Sequence, residues 1–213
     1  MVRLGVAYVA AWAVGSGYGL ALERAGDWAG APWEVSTLRW FHGQHFPFWL
    51  DQVLVNFPYV GTNLTILPIV ILLALWLWRR SNKVLTAIHL LVVCLGSLSL
   101  NPTMKYLLDR PRPELFPLRG LYSWASYPSG HAILTVALYF TIALQLRFAL
   151  RWHWPFAAAA AIVVITCYAR LYLQVHWPSD VIGGLLIGAV WLVGTWWAFT
   201  RYHRAVASTT PEI

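Results

Sequence analysis

Residues 84–107, VLTAIHLLVVCLGSLSLNPTMKYL, decide the fold. The stretch is apolar over more than the roughly 20 residues that cross a bilayer as one helix, and its one Lys or Arg is Lys105, close to its end. Asp109-Arg110-Pro111-Arg112-Pro113 follow directly. The residue before a proline avoids the helical region, so the helix should stop before Pro111. Lys105 then sits on its last turns and Arg112 on the extended segment beyond.

Outward from this helix lie five more apolar runs, at about 4–22, 64–78, 131–150, 155–173 and 179–199. The run at 64–78 is short unless it begins nearer Pro58. The expected fold is therefore all-α: a polytopic membrane protein with six transmembrane helices in one bundle. The run at 4–22 reads as a retained helix rather than a signal peptide, because the apolar region is long and its small residues are spread along it.

Composition points the same way. Of 213 residues, 59% are hydrophobic and 11% charged, against roughly 25% charged in a soluble domain; the mean hydropathy is +0.59. No linker divides the chain, so residues 1–213 read as a single domain. The net charge of +7 does not indicate nucleic acid. The basic residues lie in short clusters between apolar runs, as in membrane proteins, and not in a basic stripe on a soluble fold. Cys94 and Cys167 fall inside apolar runs and read as small hydrophobes. Many of the 14 Trp and 10 Tyr flank the runs, as interfacial aromatic belts do.

Lys and Arg near helix ends set orientation. Arg3, the group Arg79, Arg80 and Lys83, the pair Arg147 and Arg151, and the pair Arg201 and Arg204 alternate with six spans and place both termini in the cytoplasm. The opposite side carries Arg24, Arg39, a basic group from Lys105 to Arg119, and Arg170. Positive charge there runs against the topological rule and suggests another purpose. Residues 23–60, which mix Trp28, Trp33, Trp40, Phe41, Phe46, Phe48 and Trp49 with isolated charges, suit an amphipathic segment in the outer interface. His42 and His45 stand three apart, but no third metal ligand follows at useful spacing.

Three polar clusters fall on that outer face. Lys105 and Arg112, brought together at a helix end, call for an anion. Phosphate fits, with Arg offering a planar fork and Lys a point charge; binding of anionic lipid head groups is the plainer reading. Pro128-Ser129-Gly130-His131 opens the fourth helix. Ser129 is placed as an N-cap, Gly130 allows close backbone approach, and a helix N-terminus attracts anions. His131 titrates near neutral pH, as a general acid must, although an interfacial histidine is more often inert. Arg170, His176 and Asp180 flank the connection between the fifth and sixth helices. An Arg on an apolar helix is a functional candidate by default. His176 with Asp180 suggests a nucleophile and its orienter, while Asp180 would serve equally as an N-cap.

The run Lys105-x6-Arg112-Pro113, then Pro128-Ser129-Gly130-His131, then Arg170-x5-His176-x3-Asp180 resembles the three-part signature of the type-2 phosphatidic acid phosphatase superfamily. The signature covers 105–180, and the six-helix plan extends the likeness over most of the chain. The family usually has Ser where Ala169 stands, so one hydroxyl is missing here. The resemblance implies that His176 attacks phosphorus to form a phosphohistidine, with Asp180 orienting it. His131 would protonate the leaving oxygen and then activate water. Lys105, Arg112, Ser129, Gly130 and Arg170 would hold the phosphoryl oxygens. Fixed donors of this kind stabilise spread negative charge, so neither metal nor cofactor is expected. The vanadium haloperoxidases are further relatives, but they are soluble.

The partner expected is a lipid phosphate in the bilayer of the cell (inner) membrane, held at its extracytoplasmic side. Undecaprenyl diphosphate is preferred over phosphatidylglycerol phosphate and phosphatidic acid, because the chain is small, its site faces outward and no extra domain is present. Arg110 and Arg119 beside the phosphate cluster suit a second phosphate or lipid head groups. The alternative is a transporter or flippase that binds an anionic lipid without hydrolysis, which needs the cations but not the two histidines.

Overall fold

The structure is a computed structural model that describes residues 2–61, 63–81, 84–119, 122 and 124–209. Every regular element among them is helical. Helix α1 spans Val2–Arg24, α2 Pro32–His42, α3 Phe48–Asn56, α4 Asn63–Ser81, α5 Val84–Leu108, α6 Gly130–Leu150, α7 Trp154–Tyr172 and α8 Pro178–Thr209. Short 3-10 turns cover Asp27–Ala29 and Phe57–Gly61.

Among the described residues five helices, α1, α5, α6, α7 and α8, are long and apolar enough to cross a membrane. The sixth expected span, α4, is apolar over the shorter Thr65–Trp76. It begins at Asn63 and does not reach back to Pro58, because the 3-10 turn takes up the intervening residues. α4 nonetheless joins the bundle: Ile66 and Val70 pack with Leu90 and Cys94 of α5 and with Leu134 and Leu138 of α6.

The main core lies between α1, α5, α6 and α8, where Ala7, Ala11, Met104, Ile133 and Ile187 are buried together. Lipid offers helices little hydrophobic reason to associate, so close backbone approach through small residues carries the packing. Ala7 lies where a Cβ on Gly194 would go, which brings α1 and α8 together. Trp191 fills the centre and donates its Nε1–H to the Val93 carbonyl at 3.0 Å, which satisfies its polar end. Large apolar side chains such as Leu72, Leu95, Val164 and Val193 face outward, as a lipid-facing exterior requires.

The connections put the ends of α5 and α7 and the starts of α6 and α8 at one end of the bundle. Arg3 at the opposite end lies over the Trp197 ring of α8 at 5.2 Å. Of the cations used to orient the chain, Lys83 lies outside the described residues.

The segment preceding α4 is amphipathic and also docked. Trp33, Trp40, Phe48 and Trp49 are exposed, whereas Glu34, Leu38, Phe41 and Leu54 are buried. Phe41 and Leu54 pack with Ala169, Tyr172 and Leu173 at the end of α7. The α2–α3 segment thus covers the end of the bundle that carries the polar clusters.

Candidate functional site

Helix α5 ends at Leu108, and Asp109 turns the chain with a left-handed φ of 39° before Pro111. Lys105 therefore lies in the last turn, 4% exposed. Its ammonium donates to the carbonyls of Ala125 at 2.5 Å and Ser126 at 3.0 Å. Arg112 follows on the extended segment and donates from Nη2 to the same Ala125 carbonyl at 2.9 Å. Its Nη1 donates to the Val175 carbonyl, next to His176. Burial holds the Arg112 guanidinium down to about 10, so it stays charged at neutral pH.

The second cluster opens α6. The Ser129 N–H donates to the Asp180 carbonyl at 3.0 Å, which pins the start of α6 to α8. Ser129 occupies the N-cap position, yet its hydroxyl makes no capping bond and has no hydrogen-bond partner although buried. The N-cap reading of this side chain therefore fails, and the hydroxyl remains as an unused donor. Gly130 has a packing reason: the Asn101 amide of α5 occupies the space where a Cβ would stand. His131 lies in the first turn of α6.

The third cluster surrounds the α7–α8 turn, where Gln174 adopts φ 61°. Arg170 is 4% exposed and its buried Nε has no partner. His176 is almost wholly buried, and its pKa is driven well below the ordinary value by burial first, then by Arg112, Arg170, Lys105 and His131. The charges of the three cations and of the second histidine thus act on one imidazole, which is held neutral.

Asp180 is wholly buried, and its Oδ2 lies 3.4 Å from His176 Nδ1. That ring nitrogen makes no well-formed hydrogen bond, so the pair is in contact but not closed. The same Oδ2 accepts from the Trp177 N–H at 2.8 Å and from the Ser126 hydroxyl. Asp180 sits at the third position of α8 and reaches back to the residue before the helix, half of a capping box. The orienting and capping roles are therefore not alternatives, because different donors can share one carboxylate.

Two acceptors and donors escaped the sequence. Ser126 bonds Asp180 and, through its carbonyl, Lys105. Glu34 of α2 is wholly buried; it pairs with Arg110 at 2.9 Å and accepts from the Ser179 N–H at 3.0 Å. Arg110 in turn reaches Asp180 Oδ1 at 2.8 Å, Ser179 Oγ at 2.5 Å and the carbonyls of Trp28 and Asp27. The expectation that Arg110 serves a second phosphate or lipid head groups is corrected: its guanidinium is fully enclosed and already bonded. Arg119 is likewise engaged, pairing with Asp51 at 2.8 Å. The only early signal for Glu34 was an acid in the first turn of an interfacial helix. Nothing local marked Ser126.

His42 stacks on Phe116 with ring centroids 3.7 Å apart, and His45 bonds the Gly43 carbonyl. Among the described residues no three His, Cys, Asp or Glu side chains are grouped to hold a metal. Ala169, in place of the family serine, is packed among Phe41, Tyr172 and Leu173.

Residues 85–204 match the PAP2 superfamily. The chain is 33% identical over 133 residues to YbjG of Escherichia coli, a match covering 60% of this chain and 63% of that protein, under two thirds of its length. It is 30% identical over 167 residues to an undecaprenyl-diphosphatase of Sulfolobus acidocaldarius, covering 76% of this chain and 73% of the relative. Its fold is similar to the crystal structure of a transmembrane PAP2 type phosphatidylglycerolphosphate phosphatase from Bacillus subtilis. That likeness has a TM-score of 0.75 at 21% identity and covers 94% of this chain and 98% of the other.

Proposed function

The chain belongs to the PAP2 superfamily, and from that premise we propose that it is a lipid phosphatase, removing phosphate from a lipid phosphate or diphosphate without a metal. One observation carries the reading. Lys105, Arg110, Arg112 and Arg170 are buried, while Glu34 and Asp180 are the buried carboxylates among the described residues. Arg110 donates to both carboxylates. Lys105 and Arg112 donate to backbone carbonyls, and Arg170 has a buried Nε without a partner, around a neutral histidine. Buried charge is costly unless paired, and a bound phosphate dianion would supply the missing counter-charge.

In this reading His176 attacks phosphorus from Nε2, and the phosphoryl group passes to the imidazole as the lipid oxygen leaves. Asp180 takes the hydrogen bond of Nδ1–H, which fixes the tautomer and stabilises the charged ring as it forms. His131 gives its proton to the leaving oxygen, then withdraws one from the water that attacks the phosphohistidine, which regenerates His176 and releases phosphate. Lys105, Arg112, Arg170, the free hydroxyl of Ser129 and the Gly130 backbone hold the oxygens where charge accumulates.

The whole of 1–213 acts as one domain, with both termini in the cytoplasm and the site at the extracytoplasmic interface of the cell membrane. There a head group meets the site while its chain stays in the bilayer. Undecaprenyl diphosphate is the leading substrate, with phosphatidylglycerol phosphate and phosphatidic acid as the alternatives. Arg110 and Arg119 lend no support to a second phosphate, since both are engaged by carboxylates. Protein quenched in alkaline detergent, after mixing with radiolabelled lipid phosphate, should carry acid-labile, base-stable label that maps to His176. Label on another residue, or none during turnover, would remove the covalent mechanism.

A further inference from the structure

Glu34 belongs to none of the three motifs. It lies on α2, which precedes the span carrying Lys105, and it is wholly buried. Both carboxylate oxygens are fully used. Oε1 accepts from the Ser179 N–H at 3.0 Å and from the Ser179 hydroxyl at 2.5 Å. Oε2 accepts from the Ala31 N–H at 3.0 Å and pairs with Arg110 at 2.9 Å.

Arg110 and Ser179 connect Glu34 to Asp180. Arg110 holds Oδ1 at 2.8 Å, and Ser179 is its neighbour in the first turn of α8. The guanidinium lies within 5.6 Å of the rings of both Trp28 and Trp177, so it has no room to swing. Glu34 and Asp180 thus divide one immobile cation between them. Without the Glu34 charge, Arg110 would draw on Asp180 alone, and the carboxylate would hold the His176 Nδ1–H less strongly. The first turn of α8 would also lose the acceptor of Ser179.

We propose that Glu34 is a positioning residue for the Asp180–His176 pair, acting through Arg110 and Ser179, so that α2 takes part in the reaction from outside the signature. This rests on the phosphatase reading above. Its effect belongs to the chemical step and not to lipid binding, because the Glu34 carboxylate bonds Ala31, Arg110 and Ser179 and none of the three cations assigned to phosphate.

The test is steady-state hydrolysis of a lipid phosphate in detergent, with active sites counted by vanadate titration. Wild type, His176→Ala, Glu34→Gln and Ser179→Ala are compared. Glu34→Gln keeps the shape and one acceptor oxygen but removes the charge. It should lower kcat per titrated site about tenfold or more, the usual cost of losing a group that orients a catalytic one, with KM within roughly twofold of wild type. Ser179→Ala leaves every charge in place and should lower kcat per site by a smaller factor, again without moving KM. It serves as the deciding variant if Glu34→Gln does not accumulate. A purely structural Glu34 would reduce the number of titratable sites and leave kcat per site unchanged, and that result overturns the inference alone. A wild type that releases no phosphate overturns the phosphatase reading and takes this inference with it.

Discussion

Lys105 and Arg112 converge on one acceptor: the ammonium and the guanidinium both donate to the Ala125 carbonyl, at 2.5 Å and 2.9 Å. A single carbonyl does not neutralise two cations. The second motif thus approaches the first through the loop that leads into α6. The same loop contributes Ser126 to Asp180. Residues 125–129 are therefore the strip on which the three clusters meet.

The Ser129 hydroxyl separates a structural role from a chemical one. An N-cap serine that makes its capping bond is worth about 1 kcal/mol, but this one makes none. Ser129→Ala should therefore leave thermal stability within about 0.5 kcal/mol of wild type. The same change should lower kcat/KM about tenfold or more as one oxygen donor is lost. Melting curves beside kinetics on the same preparation check both halves.

Arg110 should behave in the opposite way. Arg110→Met would leave two buried carboxylates without their shared cation, and breaking a buried pair from one side costs about 3–5 kcal/mol. The expected outcome is loss of folded, monodisperse protein, seen on size-exclusion chromatography in detergent. A well-folded Arg110→Met with a selective loss of diphosphate over monophosphate hydrolysis would restore the second-phosphate role.

The His176 ring provides the pH prediction. A free histidine titrates near about 6.5. Burial, followed by the surrounding cations, drives His176 well below that. Depression means that the neutral ring persists as pH falls through 6.5 and is protonated only at lower pH. In ¹⁵N-histidine NMR, the signal absent from His176→Ala should keep the pattern of a neutral ring from pH 7.5 down to the lower edge of stability. Titration of that signal at the ordinary histidine value would remove the electrostatic account of the nucleophile.

Arg170 is the cation with an unpartnered buried Nε, so its loss should be felt by an anion and little by the fold. Vanadate, which occupies a phosphate position, should inhibit wild type, and Arg170→Ala should weaken that inhibition on the order of 100-fold, as for removal of one transition-state donor. Equal inhibition of both proteins would place Arg170 outside the anion site.

How far the sequence could be read follows from where each signal lies. Lys105, Arg112, Ser129, His131, Arg170, His176 and Asp180 sit beside the ends of long apolar runs, and proline or glycine marks those ends, so spacing alone brought them to one face. Helix α8 overshot its expected end, running to Thr209, because polar residues beyond the bilayer continue a helix without an apolar pattern. Glu34 and Ser126 were missed for a different reason. Their partners, Arg110 and Asp180, are distant in sequence, and periodicity reports a face but not what covers it. Arg110 was misread because it stands two residues from Arg112 and has the same charge. The chain nonetheless turns one inward to Asp180 and the other toward the His176 loop.

The most direct measurement is phosphate release from a panel of lipid phosphates and diphosphates by purified protein in detergent containing EDTA, comparing wild type with His176→Ala. The account predicts release that survives EDTA and disappears in the variant, with the best substrate identifying the lipid. Lipid binding without release by wild type, or release that His176→Ala retains, would contradict it.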